Sequence, residues 1–65
     1  MKAYNTPELL TLDQAAAFLG TTVRFAQRLV SERRIRVYKV GRHVRIARRD
    51  LEDFLEAGVR ESRDQ

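Results

Sequence analysis

Apolar residues recur along this chain in two different rhythms. The first, at helical spacing, appears in "PELLTLDQAAAFLG", where Leu12, Ala15, Ala16 and Leu19 fall on one face with Phe18 beside them. Thr11 and Gln14 form the Thr-x-x-Gln pattern, in which each side chain satisfies an orphan backbone N–H at a helix start. Asp13 suits the positive end of the helix dipole, and Gly20 supplies a left-handed stop. The pattern predicts a helix over Leu12–Leu19. A second helix starts after Thr22, the expected N-cap, or after Thr21, and runs from Val23 to Arg33. It carries two stripes. Ala26, Leu29 and Val30 are apolar; Arg24, Gln27, Arg28 and Ser31 are polar throughout. Phe25 lies on the border, where it can pack inward or face a partner. A connection of two or three residues, Gly20 to Thr22, fits a helix-turn-helix and also a plain αα-hairpin.

The second rhythm has period two. "VYKV" and "VRI" flank "GRH", which predicts a β-hairpin with Gly41 near its tip. Two registers compete. A two-residue Gly41-Arg42 loop fits a Gly-X turn and groups Val37, Lys39, Val44 and Ile46. A three-residue loop, Gly41 to His43, groups Tyr38, Val40, Val44 and Ile46. The second set is the more apolar and is expected to win, because a slip of one residue exchanges the faces of a strand. That register needs His43 in a left-handed conformation, turns Lys39 and Arg45 outward, and leaves Arg42 at the tip. A third helix follows in "RRDLEDFLEAG", with Leu51, Phe54 and Leu55 at helical spacing, acids in its first turns and Gly58 as its cap. The expected fold is mostly α with a small β-hairpin: a winged helix-turn-helix of three helices plus a two-stranded wing over residues 9–58. A flexible arm (1–8) and a fraying tail (59–65) are expected on either side.

Composition narrows the function. At 65 residues the chain has room for one small domain. It has no cysteine and a single histidine, His43, which leaves no partner to share a metal ion; no metal or cofactor is expected. There is no long apolar run and no signal-peptide pattern, so the chain reads as a soluble cytoplasmic domain with no membrane partner. Asp50, Glu52, Asp53 and Glu56 fit a dipole complement and a solvated face. With no nucleophile–base pair and no phosphate-cradling loop, neither an enzyme nor a small-molecule substrate is expected.

Charge adds the decisive feature. From Arg24 to Arg49 ten Arg and Lys residues stand against one acid, Glu32; the rest of the chain holds three basic residues against eight acids. Such segregation points a positive surface at a polyanion. The most concentrated part, "RRIRVYKVGRHVRIARR", interleaves its charges with Ile35, Val37, Tyr38, Val40, Val44 and Ile46. The basic groups therefore sit on folded structure, which positions a polyanion as well as attracting it.

Taken together, "LLTLDQAAAFLGTT", "RLV" and "VYKVGRHVRIARRDLEDFL" resemble the excisionase-type, MerR-like winged-helix DNA-binding domains over Leu9 to Ala57. The most specific part is "KVGRHVRI" followed by "DLEDFL". Members of that group are architectural factors that bind and bend DNA beside recombination sites and direct an integrase (a recombinase) toward excision. The resemblance places the second helix in the major groove and the Gly41-Arg42 wing in a minor groove of double-stranded DNA. Arg28 and Arg45 match arginines of the family pattern. Arg33 stands where the family often has Gly, and Arg36 where it often has Pro.

On this reading Thr22, Arg24, Phe25, Gln27, Arg28 and Ser31 face the major groove. Arg24 or Arg28 can take a guanine edge and Gln27 an adenine edge, each bidentate pair being worth roughly 1–3 kcal/mol of discrimination. A phosphate contact remains the alternative for each. Arg42, beside Gly41, suits a narrow minor groove. Lys39, His43 and Arg45 are read as phosphate contacts, and Arg34 and Arg36 as phosphate contacts or solvated charges, as are Arg48 and Arg49. With about six phosphates engaged, log K falls against log salt with a slope of about −5. Two other readings stay open: a small transcriptional regulator of the same fold, and a basic module that binds an acidic protein. The absence of a long dimerisation helix after Gly58 favours the excision factor over the regulator. Side-by-side self-association on DNA is a further expectation, from the acid-rich ends beside the basic centre.

Overall fold

The computed structural model describes residues 7–59; of the expected arm (1–8) and tail (59–65), residues 1–6 and 60–65 lie outside the described residues. The element order is β1 (Leu9–Leu10), α1 (Leu12–Leu19), α2 (Val23–Ser31), β2 (Tyr38–Val40), β3 (His43–Ala47) and α3 (Arg48–Ala57). α1 starts where the pattern predicts. The Thr11 hydroxyl accepts from the Gln14 N–H at 3.0 Å, and the Thr11 N–H donates to the Gln14 carbonyl oxygen at 2.9 Å. α2 starts at Thr22, whose hydroxyl accepts from the Phe25 N–H at 3.1 Å. Replacing such a cap by Ala costs about 1 kcal/mol.

The two helices end alike. After α1 the Gly20 N–H donates to the Ala17 carbonyl and the Thr21 N–H to the Ala16 carbonyl, with Gly20 left-handed at φ +69°. After α2 the Arg33 N–H donates to the Val30 carbonyl and the Arg34 N–H to the Leu29 carbonyl, with Arg33 at φ +58°. This paired-bond cap reverses the chain and satisfies two orphan carbonyls at each end. It also stops α2 at Ser31, two residues short of the expected Arg33. Gly20 takes the conformation freely, whereas for Arg33 the left-handed backbone costs roughly 1–2 kcal/mol.

The sheet corrects the expected wing in two respects. First, it has three antiparallel strands in the order β1-β3-β2. β1 pairs Leu9 with Ala47 and Leu10 with Ile46. Two residues are too few to show alternation, so no pattern in the chain marks this strand. Second, β2 and β3 pair Tyr38 with Arg45, Lys39 with Val44 and Val40 with His43. The loop is therefore the two-residue Gly41-Arg42 turn, not the preferred three-residue one. Gly41 takes the positive φ (+65°), and His43 is not left-handed. Such a Gly-X turn matches the natural twist of the strands. Lys39, Val44 and Ile46 thus share one face and Tyr38, Val40, His43 and Arg45 the other. Lys39 and Arg45 lie on opposite faces, and Val40, grouped with the core by the expected register, is 50% exposed. The apolar count misled because the hairpin tip reaches past the core: Ile46 at its base is fully buried, whereas residues 39–43 are exposed.

The core gathers Leu10, Ala15, Ile46 and Leu51, with Leu12, Phe18, Leu19, Val30, Ile35 and Val37 packed around it. Ala26 and Leu29 are buried on α2. On α3, Leu51 is fully buried, Phe54 half-buried, and Leu55 mostly outside. α3 ends without a left-handed residue. Gly58 has φ −97°, and tight bonds from the Gly58 N–H to the Leu55 carbonyl and from the Val59 N–H to the Glu56 carbonyl close the last turn instead.

Candidate nucleic-acid interface

The polar stripe of α2 is where the pattern put it. Arg24, Gln27, Arg28 and Ser31 are all exposed, opposite the buried Ala26 and Leu29. Not all of its hydrogen-bonding capacity is free. The Ser31 hydroxyl donates to the Arg28 carbonyl at 3.2 Å, and the Thr22 hydroxyl is occupied as an acceptor by its capping bond. Phe25 is half-buried and stands outside the residues packed on the main core.

The structure sorts the ten basic residues from Arg24 to Arg49 into two kinds. Arg48 is bonded in three ways, although its side chain stays partly exposed. Its N–H donates to the Glu8 carbonyl at 2.8 Å, its Nε donates to the Glu8 carboxylate at 2.8 Å, and its guanidinium lies 5.1 Å from the centre of the Phe18 ring. It therefore ties the strand-forming segment before α1 to the start of α3. Arg49 donates to the Tyr38 hydroxyl at 3.3 Å, linking α3 to the wing. The half-buried Arg45 donates to the Val44 carbonyl at 2.9 Å. Arg34 pairs with Glu32 at 3.6 Å, and its guanidinium lies 5.9 Å from the Phe54 ring. The other six, Arg24, Arg28, Arg33, Arg36, Lys39 and Arg42, are exposed and have no side-chain hydrogen bond or ion pair among the described residues. His43 is exposed beside Arg42 at the turn.

The unpartnered cations follow the chain from α2 through the connection to the hairpin tip. An exposed guanidinium or ammonium without a carboxylate neighbour keeps its full capacity for an incoming anion. A cation already bonded to a protein acceptor gives up part of that contact to make a new one. Sequence reasoning did not single out Arg33 as a contact residue; a basic residue at a position favouring Gly was the signal available.

Most of the described acids are on α3. Glu52, Asp53 and Glu56 are exposed on α3, as expected of a solvated face. Asp50 departs from that expectation: it is half-buried, and its Oδ2 is enclosed with no hydrogen-bond donor from the described residues. It lines a shallow groove of about 340 Å³ with Arg34, Arg36 and Phe54 among its neighbours. No group of three or more His, Cys, Asp or Glu side chains among the described residues is arranged to hold a metal ion. Nor is any helix among them long and apolar enough to cross a membrane.

Three helices, a hairpin carried on the third strand of a small sheet, and a short left-handed turn between α1 and α2 define the winged helix-turn-helix class. Residues 9–59 match the helix-turn-helix domain family, and the chain belongs to that family of DNA-binding domains, whose members are typically non-enzymatic. Comparison with curated proteins and with solved structures found no match.

Proposed function

We propose that the protein is an excision factor of a phage or mobile element: it binds and bends double-stranded DNA beside an attachment site and directs an integrase toward excision. The observation that carries the DNA contact is the run of exposed cations from α2 to the wing tip that have no side-chain partner among the described residues. α2 enters the major groove, whose width accepts a helix, with Arg24, Gln27 and Arg28 on base edges or the flanking phosphates. Thr22 and Phe25 sit at the entry of that helix and Ser31 at its exit. The Gly41-Arg42 turn enters the neighbouring minor groove. Lys39, His43, Arg36 and, with the donors left to them, Arg45 and Arg34 take phosphates. Gripping two grooves at once favours a bent duplex, because bending brings more phosphates within reach. The excision role itself is supported by the resemblance of "KVGRHVRI" with "DLEDFL" to excisionase-type domains.

On this reading the chain works in the cytoplasm of a bacterial or phage-infected cell. Neighbouring copies on tandem sites bring the exposed acids of α3 against the basic surface of the next copy, so they bind side by side. A nuclease footprint on the DNA flanking the gene tests the proposal. Repeated short sites beside an attachment site, filling cooperatively, are expected. Sites overlapping a promoter would make the protein a transcriptional regulator instead, and independent filling would remove the self-association.

A further inference from the structure

From its backbone we infer that Arg33 is a DNA-phosphate ligand held at the exit of α2, an inference that rests on the DNA-binding reading above. Arg33 occupies the left-handed position of the α2 cap at φ +58°, the only described residue other than glycine with positive φ. The cap bonds around it, Arg33 N–H to the Val30 carbonyl and Arg34 N–H to the Leu29 carbonyl, are made by the backbone, so they do not require an arginine. The same bonds after α1 are made with Gly20. Arg33 thus bears a conformational strain that its local hydrogen bonding does not need, and strain of this kind is a sign of function. Its side chain is exposed and takes no protein partner among the described residues, although Glu32 stands next to it; that carboxylate is paired with Arg34. In the chain Arg33 lies between the free cations of α2, Arg24 and Arg28, and those of the connection and wing, Arg36, Lys39 and Arg42. A phosphate contact there continues the grip between the two grooves. The bland alternative is that a cation at this end of α2 complements the helix dipole.

The two roles part on DNA binding, because a cation that only complements the dipole has no duplex contact to lose. With Arg33→Gly the strain is relieved, so the melting temperature rises by about 2–5 °C. Affinity for a random-sequence duplex falls about fivefold at low salt, and the slope of log K against log salt shrinks by about 0.9. Arg33→Lys keeps the charge and restores most of the slope without the gain in melting temperature. Unchanged affinity and slope in Arg33→Gly would overturn the inference and leave Arg33 to the dipole, and a fall in melting temperature would overturn it by removing the strain it is argued from. A wild-type chain that ignores duplex DNA would overturn the DNA-binding reading and this inference together. Wild-type binding matched by Arg33→Gly would overturn this inference alone.

Discussion

Lys39 and Arg42 at the tip of the wing, and Arg48 and Arg49 at its base, are four cations within eleven residues that the structure treats in opposite ways. The tip pair is exposed and unpartnered among the described residues. The base pair is bonded to Glu8, Phe18 and Tyr38. The difference lies in the neighbours. The base of the hairpin is buried against β1, α1 and the start of α3, so its cations find an acid, a ring face and a phenol. The tip projects beyond the core, and its cations find no partner among the described residues. A basic stretch is therefore two devices joined end to end, one that holds the small fold together and one that is left for a polyanion.

The sharpest way to extend this comparison is to carry it to α2, whose free cations belong with the wing tip. Arg24→Ala with Arg28→Ala is expected to weaken DNA binding by about 30-fold or more, since on the proposed reading each arginine makes at least a charge-assisted contact. Melting should stay within about 0.5 kcal/mol of wild type, as neither side chain has a partner among the described residues to lose. A gel-shift titration and a thermal melt of the same sample check both halves. A smaller effect of opposite kind is expected at the base. Arg48→Ala should cost about 1 kcal/mol of stability, limited by the exposure of both partners, and lower the melting temperature by about 5 °C. DNA affinity measured well below that temperature should hardly change. Smallest is Arg42→Ala, which should weaken all duplexes about fivefold without moving the preferred site, because a wing in the minor groove reads little sequence. A gel-shift series over site variants checks it, and unchanged affinity would remove Arg42 from the interface.

How far the chain could be read in advance follows the same division. Both helix starts, the turn at Gly20 and the polar stripe of α2 were legible, because capping chemistry and period-3.6 patterning are local. The hairpin was legible as a hairpin, yet its register was not. Counting apolar residues assumed that the whole wing lies on the core, and Val40 shows that its tip does not. The strand at Leu9–Leu10 could not be seen, since it exists only through its pairing with Ile46 and Ala47. The same limit applied to the candidate interface. Its residue types were plain in the sequence, but Arg34, Arg45, Arg48 and Arg49 look no different there from Arg24 or Arg42. What separates them is a set of partners brought in by folding, such as Glu8, forty residues away from Arg48.

That separation is tested most directly by two double variants that remove equal charge from the two ends of the wing, Lys39→Gln with Arg42→Gln, and Arg48→Gln with Arg49→Gln. The measurement is the slope of log K against log salt on one duplex. Loss of the tip pair is predicted to shrink the slope by about 1.8, and loss of the base pair to leave it unchanged while lowering the melting temperature. Equal losses of slope from the two variants would contradict the division of the basic stretch into a part that holds the fold and a part that holds DNA.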